Sequence, residues 1–555
     1  MQDQNSTHQY DAIVVGSGIS GGWAAKELCE KGLKTLVLER GRSVKHGEYP
    51  TAHQDSWDMP NNGVLSYEEA QERKVQSRTG WIGQDTKHFF VNDKENPYDE
   101  VKRFDWIRGY QTGGRSLTWG RQTYRWSDLD FEANAKEGIG VDWPIRYKDI
   151  APWYDYVEKY VGISGEAMGL PHLPDGQFLP PMELNCVEQH TKQQIESNFK
   201  NRYLTIGRVT NLTQEHNGRG PCQYRNRCSR GCPFSGYFSS VSSTLPDAEK
   251  TGNLTMISNA VVHSIIYDDK TGKATGVRVI DAESKATTEY FAKVIFLNAS
   301  TMASTFILLN STSDSYPTGL GNESDQLGRN LMDHHYRVGA IGDFEGFADK
   351  YYEGRRPNGI YIPRFRNINE ETKRNDYVRG FGYQGGAERA GAGRGSVPGF
   401  GAEFKDGLME PGPWQMALVG FGECLPHQDN RMWLNFDKKD PYGLPTLTVD
   451  AEFRENEMAM RKDMADSAAE MLEASGFKKV ETYDSPAAMG TARMGNDPKT
   501  SVLNKWNQVH GAPNVFVTDG SAMTSSACQN PSLTYMALTV RAANYAAEQL
   551  KKKNL

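Results

Sequence analysis

The chain has 555 residues, of which 37% are hydrophobic and 24% are charged, and its formal net charge is −7 at neutral pH. This composition is typical of a globular protein, and the length predicts roughly two to four structural units. With an acidic balance and no long Lys/Arg run, we expect no nucleic-acid partner. No apolar run approaches the roughly 18 residues that a bilayer requires, so we expect no membrane span in this chain.

The N-terminal segment, residues 1–10, is polar and has no apolar signal core. This absence predicts a cytoplasmic protein, and export to the periplasm on a signal-bearing partner subunit is the alternative. The seven Cys are an odd number in a large chain, which does not indicate a disulfide framework.

The first predicted elements are a strand, a helix and a second strand. An apolar run over residues 10–15 predicts a buried parallel strand, and residues 35–38 predict another that ends at Glu39. Residues 23–31 predict a helix between them, so this part of the chain is a βαβ unit.

A glycine fingerprint follows the first predicted strand directly and opens the predicted helix. A lone G-x-G-x-x-G is weak, but this context and the acid after the next strand predict binding of the ADP part of a dinucleotide. The first glycine allows a tight turn, the second lets the backbone approach the pyrophosphate, and the third lets helix and strand pack closely. Glu39 is placed to accept hydrogen bonds from the adenosine ribose. The predicted site comprises Gly16, Ser17, Gly18, Ile19, Ser20, Gly21, Glu39 and Arg40.

The remaining segments differ in pattern. Residues 43–100 are polar and poorly periodic, which predicts a surface insertion or lid. Residues 254–298 predict a strand meander, and residues 336–450 alternate apolar and polar positions as an antiparallel sheet does. The glycine-rich stretch 386–402 predicts a mobile loop, and residues 455–474 predict a helix.

Four ordered segments together resemble the glucose–methanol–choline (GMC) family of FAD oxidoreductases. They are the fingerprint with residues 39–41, the glycine segment 109–120, residues 294–300 with 327–334, and the C-terminal motifs 489–495, 514–520 and 530–532. The resemblance implies an α/β protein (α+β overall), with a Rossmann-like FAD-binding domain and a substrate domain built on an antiparallel sheet backed by helices. Within the family, the chain is most similar to bacterial glucoside 3-dehydrogenases and glycoside 3-oxidases, with gluconate 2-dehydrogenase-like large subunits nearby.

The resemblance also implies a division into domains. A discontinuous FAD-binding domain would comprise residues 1–45, 101–135, 205–340 and 480–555. A substrate-binding domain would comprise residues 136–204 and 341–479, with residues 46–100 as the surface insertion or lid.

The implied activity is oxidation of a secondary ring hydroxyl of a sugar or glycoside, at C3, by hydride transfer to flavin N5. A gluconate-type or polyol-type FAD dehydrogenase large subunit is the alternative among enzymes. A catalytically silent flavin-binding subunit is the alternative from another class.

Further FAD-binding residues are implied by matching the family's motifs position by position. Val262 would contact the adenine through its backbone. The others are Gly113, Gly114, Arg115, Ser116, Trp119, Gly120, Ala299, Asp519, Gly520, Asn530, Pro531 and Ser532. Some sugar oxidases of the family link FAD covalently through a His in the glycine segment. Thr118 occupies that position and cannot form the link, so we predict non-covalent FAD.

The catalytic pair of the family is incomplete in this sequence. Asn530 matches the second member, whose amide would hold the substrate oxygen, but Ala487 stands where the family has the His that accepts the hydroxyl proton. Three interpretations stay open: a His-to-Ala replacement, a slip in the alignment around residues 485–486 with another base, or loss of the base. His427 is a second catalytic candidate, whereas His334 and His335 are predicted to be structural.

Three cysteines, Cys222, Cys228 and Cys232, cluster on a short loop rich in Gly, Pro and Arg. Their spacing resembles that of multi-subunit sugar dehydrogenases with a three-iron iron–sulfur cluster, which implies a small subunit and a cytochrome c acceptor. Three nearby Arg favour deprotonated thiols. The alternative is a loop of packed cysteines without metal, with oxygen, a quinone or a dye as the acceptor.

Overall fold

The computed structural model describes residues 9–335, 337–350, 357, 359–390, 399–485 and 494–555. The strands within these residues are β1 Gln9–Val15, β2 Thr35–Leu38, β3 Asp99–Glu100, β4 Ile163–Ser164, β5 Phe178–Leu179, β6 Thr205–Ile206, β7 Leu254–Ile257, β8 Ala260–Asp268, β9 Lys273–Asp281, β10 Thr287–Leu297, β11 His334–His335, β12 Val338–Phe344, β13 Ile360–Ile362, β14 Phe381–Arg389, β15 Trp414–Glu423, β16 Arg431–Lys439, β17 Pro445–Asp450, β18 Lys478–Asp484, β19 Gln508–Val509 and β20 Ala512–Val517.

The helices within the same residues are α1 Ile19–Glu30, α2 Tyr67–Glu72, α3 Lys74–Arg78, α4 Asp128–Phe131, α5 Ala133–Glu137, α6 Tyr147–Val161, α7 Cys186–Asn198, α8 Thr244–Lys250, α9 Thr301–Leu309, α10 Ala402–Met409, α11 Glu455–Ala474 and α12 Ser532–Lys551. None of these helices combines the length and apolar character that crossing a bilayer requires.

The first sheet contains the N-terminal strand and has eight strands among the described residues. Its order is β19-β20-β10-β1-β2-β7, and β9 pairs with both β10 and β8. The strands β20, β10, β1, β2 and β7 are parallel to one another, whereas β19 is antiparallel to β20 and β9 is antiparallel to β10. Because β1 lies between β2 and β10, the chain leaves it in one direction and returns on the other side, and such a switch point opens a crevice at the carboxyl ends of the strands.

Helices cover this sheet as its apolar strands require. The β1 residues Ala12 to Val14 are fully buried, which fits a parallel strand covered on both faces. Helix α1 is buried along nearly its whole length and packs against α12 and α8. The predicted Rossmann-like α/β fold of the N-terminal unit is therefore confirmed.

The second sheet is antiparallel and lies in the other part of the chain. Its order is β18-β12-β15-β14-β13-β6, with β11 paired to β15, which makes seven strands among the described residues. Helix α11 packs on β12, β15 and β18, and its methionine-rich face, including Met460 and Met464, is fully buried against them. The predicted antiparallel sheet backed by helices is confirmed.

The strand pairing places some segments differently from the sequence prediction. Strands β6 and β18 and the start of β12 pair within the second sheet, although their residues fall in segments that we assigned to the first domain. The C-terminal part of the predicted strand meander 254–298 forms one long strand, β10. Strand β14 extends to Arg389, into the predicted loop 386–402, and residues 391–398 of that loop lie outside the described part.

Candidate functional site

Three helices begin near the carboxyl ends of adjacent parallel strands. The helix α1 follows β1, α9 follows β10, and α12 follows β20 after the connecting segment 518–531. Their N-cap residues are Gly18, Ser300 and Pro531, and none of them accepts a hydrogen bond with its side chain from the first turn. The positive ends of these helices and their free N–H groups therefore favour an anionic ligand at this edge.

The three fingerprint glycines are required for two different reasons. A Cβ on Gly16 would lie 2.4 Å from the Asn298 carbonyl oxygen, and one on Gly21 would lie 1.9 Å from the Gly16 carbonyl oxygen. These two positions are fixed by backbone packing. A Cβ on Gly18 would meet no atom within 4 Å, and its φ of −67° suits any residue. Gly18 therefore leaves open space that a dinucleotide pyrophosphate fits.

The second glycine segment faces the same space. Gly113 N donates to Ser17 Oγ at 3.0 Å, and a Cβ on Gly114 would lie 3.5 Å from the Gly18 Cα atom. Gly113 and Gly114 both have positive φ, +84° and +47°, which glycine adopts without strain. Ser17 and Gly113 are 96 residues apart in sequence, and their segments together form one wall of the space beside Gly18.

The other residues of this second segment divide between packing and the site. Ser116 Oγ donates to the Gly113 carbonyl oxygen at 2.5 Å, and Trp119 Nε1 donates to the Phe238 carbonyl oxygen at 3.0 Å. Both contacts hold the segment in place. Thr118 Oγ1 is buried and has no hydrogen-bond partner among the described residues. A buried hydroxyl without a partner is costly, so its position fits contact with a bound polar group such as a flavin.

Glu39 is held rigidly at the end of β2. Its Oε2 accepts hydrogen bonds from Ser17 Oγ at 2.5 Å and Ser17 N at 3.1 Å, and its Oε1 accepts one from Gly41 N at 2.9 Å. Complete burial raises the pKa of this carboxyl, and the hydrogen bonds from Ser17 and Gly41 oppose that rise. The carboxylate is therefore pre-oriented as an acceptor beside the fingerprint.

Arg40 follows Glu39 in sequence, and Val262 lies in a strand that begins beside Glu39. The first residue of β8, Ala260, donates its N–H to the Glu39 carbonyl oxygen at 2.9 Å, so the strand that carries Val262 begins beside Glu39. The guanidinium of Arg40 lies over the ring of Tyr110, 4.6 Å from the ring centroid, so one flat face of the guanidinium is covered by this ring.

The carboxyl ends of β10 and β20 meet through a buried polar network. Asp519 Oδ2 accepts from Ser304 Oγ at 2.5 Å, and Ala299 N donates to the same Ser304 Oγ at 3.1 Å. Burial raises the pKa of the Asp519 carboxyl, and hydrogen bonds from Ser304 and Ser521 oppose that rise. A Cβ on Gly520 would lie 2.5 Å from Thr301 Oγ1, so only glycine fits there. The predicted residues Ala299, Asp519 and Gly520 are thus brought together.

A cavity of about 160 Å³ opens between these strand ends and the second sheet. Residues on its wall include Trp106, Asp333, His334, Gly520, Pro531 and Tyr535. His334 lies on this wall, although we predicted a structural role from sequence. Its Nε2 lies 3.1 Å from the Gln529 carbonyl oxygen and its Nδ1 lies 3.3 Å from Asp333 Oδ1. In the sequence, the adjacent Asp333 and His334 were the signal that could have predicted a place for His334 at the cavity.

The three positions considered for catalysis have different outcomes. Asn530 immediately precedes Pro531, which lines the cavity, and its Oδ1 accepts a hydrogen bond from Gln384 Nε2 in β14. Ala487 lies outside the described residues. His427 Nε2 lies 3.3 Å from Glu457 Oε2, and Glu457 also accepts from the N–H groups of Leu425 and Arg454. His427 thus contacts the carboxylate of Glu457 at the start of α11, and it is not among the residues that line the cavity.

The cysteine cluster corrects one prediction from the sequence. Within the described residues, no group of three or more His, Cys, Asp or Glu side chains is arranged to hold a metal ion, so the iron–sulfur cluster is not supported. Burial raises the pKa values of Cys222 and Cys232, which disfavours thiolates. The arginines of the loop bind the insertion instead: Arg230 Nε donates to Asp85 Oδ2 at 3.0 Å and Arg227 pairs with Asp55.

Comparison with protein families gives two matches to this chain. A model of the N-terminal domain described as GMC oxidoreductase matches residues 10–336, and a C-terminal model of the same description matches residues 426–539.

Three curated relatives align over nearly their full lengths. The 2-methyl-1,2-propanediol dehydrogenase of Mycolicibacterium austroafricanum is 29% identical, with 98% of this chain and 96% of the relative covered. The fructose dehydrogenase large subunit of Gluconobacter japonicus is 26% identical, with 99% of each covered. The gluconate 2-dehydrogenase flavoprotein of Pantoea cypripedii is 24% identical, with 99% of this chain and 95% of the relative covered.

Among solved structures, pyridoxine 4-oxidase from "Mesorbium loti" superposes with a TM-score of 0.61 at 15% identity. The match covers 96% of this chain and 98% of that one, which supports the fold.

Proposed function

Since the chain belongs to the GMC oxidoreductase family, we propose that it oxidises a secondary ring hydroxyl of a sugar or glycoside, at C3, to a ketone. As a member of this family it is an FAD-binding oxidoreductase that acts on CH–OH groups. The observation that carries the proposal is the position of Asn530, which precedes the cavity residue Pro531 and contacts Gln384 of the second sheet through its side chain. Relatives named for fructose and gluconate support a sugar as the substrate.

The residues around the crevice fit FAD. The open space beside Gly18, the buried Thr118 hydroxyl without a partner and the rigid Glu39 carboxylate provide for a pyrophosphate, a flavin and a ribose. We propose that Val262 borders the adenine and that Asp519 and the start of α12 border the flavin end. When bound, FAD supplies the acceptor for the hydride that leaves the carbinol carbon. Thr118 offers no linking nitrogen, so we propose that the cofactor is held without a covalent bond.

On the substrate side, Asn530 would bind the reacting oxygen through its amide N–H. A hydrogen bond to that oxygen strengthens as negative charge develops on it, which stabilises the transition state. The proton itself needs a base. The three interpretations of Ala487 stay open: a replaced His, another base near residues 485–486, or an enzyme without a base, which would make the chain a silent flavin-binding subunit.

The position of oxidation is tested by the product. Purified holoenzyme is incubated with methyl α-glucoside and a dye acceptor, and the product is analysed by NMR. A 3-keto glycoside is the expected product. Oxidation at another ring carbon or at the primary alcohol would overturn the C3 assignment while leaving the sugar assignment in place.

A gluconate-type or polyol-type dehydrogenase is the second candidate. It is favoured by the relative that acts, by its name, on 2-methyl-1,2-propanediol, which shares 29% of its aligned residues with this chain. The initial rates of flavin reduction by methyl glucoside, gluconate and a 1,2-diol, compared at equal concentration, distinguish the candidates.

A partner subunit and the electron acceptor follow from the same comparison. The relative from Gluconobacter japonicus is named a large subunit, so we propose that this chain also binds a smaller subunit, which could carry it to the periplasm. For the acceptor we propose oxygen, a quinone or a dye, since burial raises the pKa values of Cys222 and Cys232 and so disfavours the thiolates that an iron–sulfur cluster requires. Iron analysis of anaerobically purified protein tests this, and stoichiometric iron would overturn it.

A further inference from the structure

Two amide side chains, one from a strand of the second sheet and one from the segment before α12, meet at the proposed active site. Gln384 lies in the middle of β14, which pairs with β13 on one side and β15 on the other. Asn530 immediately precedes Pro531 and the start of α12. Gln384 Nε2 donates a hydrogen bond to Asn530 Oδ1, and the two residues are 146 positions apart in sequence. This contact joins the second sheet to the C-terminal motif of the first unit.

The direction of this hydrogen bond decides what Asn530 can offer to a ligand. A primary amide has a carbonyl oxygen that accepts and an NH₂ group that donates. With its Oδ1 occupied by Gln384, Asn530 turns its NH₂ group away from that contact, and the NH₂ has no hydrogen-bond partner within the described part of the chain. An amide rotated by half a turn would instead present its oxygen, which repels a substrate oxygen as negative charge develops.

We propose that Gln384 is a positioning residue that sets the orientation of the Asn530 amide, so that Asn530 donates to the reacting oxygen of the substrate. The proposal rests on the role of Asn530 in the proposed function. It adds a residue of the second sheet to the proposed active site. It also explains what holds the amide of Asn530 in one orientation, namely the hydrogen bond from Gln384. Gln384 acts on the substrate through Asn530.

The first test reverses the direction of the hydrogen bond. Gln384→Glu keeps the shape of the side chain but places a carboxylate there, which only accepts and so draws the Asn530 NH₂ toward itself. Flavin reduction by methyl glucoside is measured under anaerobic conditions in the parent chain, or in Ala487→His if only that form reacts. We expect the rate to fall about 10–100-fold at pH 7.5, with little change in the dissociation constant of the substrate, since one transition-state donor is lost.

The pH dependence separates orientation from a general disturbance. As the pH falls through the usual range for Glu, about 4–5, the new carboxyl gains a proton and donates again. The ratio of the Gln384→Glu rate to the parent rate should therefore rise toward one at low pH. Gln193→Glu, an exposed position in α7, is the charge-matched control and should show the parent rate throughout. A ratio that stays constant with pH would overturn the proposal.

Asn530→Ala separates this proposal from the proposed function. Loss of the donor should slow flavin reduction about 10²–10³-fold, and Gln384→Glu should add nothing further in that background. If Asn530→Ala reacts at the parent rate, the proposed function of Asn530 fails. If Asn530→Ala is slow and Gln384→Glu is not, the positioning role of Gln384 fails alone.

A second test needs no turnover, because it follows the melting temperature of the holoenzyme. In Asn530→Asp, Gln384 still has an acceptor, and in Gln384→Glu, a rotated Asn530 still donates, so each single variant should melt close to the parent. The double variant places two carboxylates side by side. Its melting temperature should fall by much more than the sum of the decreases in the two single variants. Additive melting temperatures would show that the two side chains do not interact and would overturn the proposal.

Discussion

Ser17 and Glu39 are joined by two hydrogen bonds, from Ser17 Oγ at 2.5 Å and from Ser17 N at 3.1 Å, both to Glu39 Oε2. The acid at the end of β2 is thereby fixed to the turn between β1 and α1. The same hydroxyl, Ser17 Oγ, accepts from Gly113 N at 3.0 Å, so the second glycine segment is anchored at the same point. One serine thus connects the three segments that form the dinucleotide crevice.

Replacement of Glu39 by Gln should weaken FAD binding. The Gln amide has only one accepting oxygen, so it cannot accept from Ser17, from Gly41 and from a ribose as the two carboxylate oxygens can. A hydrogen bond to a charged group contributes about 1.5–3 kcal/mol. The dissociation constant should rise about 10–100-fold, as measured by fluorescence titration of apoprotein with FAD. Glu48→Gln, an exposed change of the same kind, should leave it unchanged. An unaltered affinity in Glu39→Gln would contradict the role of Glu39.

Gly18→Ala and Gly21→Ala should differ in kind. An added methyl group on Gly18 enters open space at an ordinary φ, so the apoprotein should melt as the parent does, whereas FAD binding should be severely weakened. The methyl group on Gly21 would lie 1.9 Å from the Gly16 carbonyl oxygen, so the apoprotein itself should lose stability. Melting curves and FAD titrations of both variants check this. Normal FAD affinity in Gly18→Ala would show that the pyrophosphate lies elsewhere.

The cofactor should leave the protein on denaturation. Acid precipitation of the holoenzyme should release all flavin absorbance into the supernatant, because Thr118 occupies the position of the linking His. Flavin that stays with the precipitate after washing would contradict non-covalent binding and would direct attention to another linking residue.

The sequence predicted those parts of the fold and the site that depend on local pattern. The βαβ unit from β1 to Glu39 and the helix α11 could both be predicted, because apolar periodicity and glycine spacing depend only on residues close together in sequence. The division of the three glycines between packing and ligand space was not visible, since it depends on the carbonyl oxygens of Gly16 and Asn298.

Contacts over long separations in sequence could not be predicted in the same way. The pair Gln384 and Asn530 has no periodic signal in the sequence. The contact of His427 with Glu457 also has none, so the sequence alone left His427 as a catalytic candidate. The choice between a metal site and packed cysteines in the cysteine loop could not be made from the sequence, because spacing says nothing about burial, and burial raises the pKa of Cys232.

Asp130 should make the stability of the protein depend on pH. Burial raises the pKa of its carboxyl to about 6, and the charge of Glu423 adds to that rise. A carboxyl whose pKa is higher in the folded state stabilises the protein at low pH, and this contribution is lost as the pH rises from about 4 through 6. Asp130→Asn removes the titration while keeping an acceptor for Ser127 N.

Relative to the parent, Asp130→Asn should therefore gain stability as the pH rises. The shift corresponds to as much as about 3 kcal/mol at neutral pH, at about 1.4 kcal/mol for each unit. Melting temperatures of both proteins from pH 4 to 8 measure the difference, which should be small at pH 4 and large above pH 7. A difference that does not change with pH would contradict this assignment.

The central claim, that this chain oxidises a sugar alcohol with bound FAD, is tested most directly by anaerobic mixing of the holoenzyme with methyl glucoside while the flavin absorbance is followed. The account predicts that the absorbance is lost in the chain as it stands or in Ala487→His. If a base is missing at residue 487, its restoration should accelerate the loss by about 10²–10⁴-fold. Flavin that remains oxidised in both forms would contradict the account.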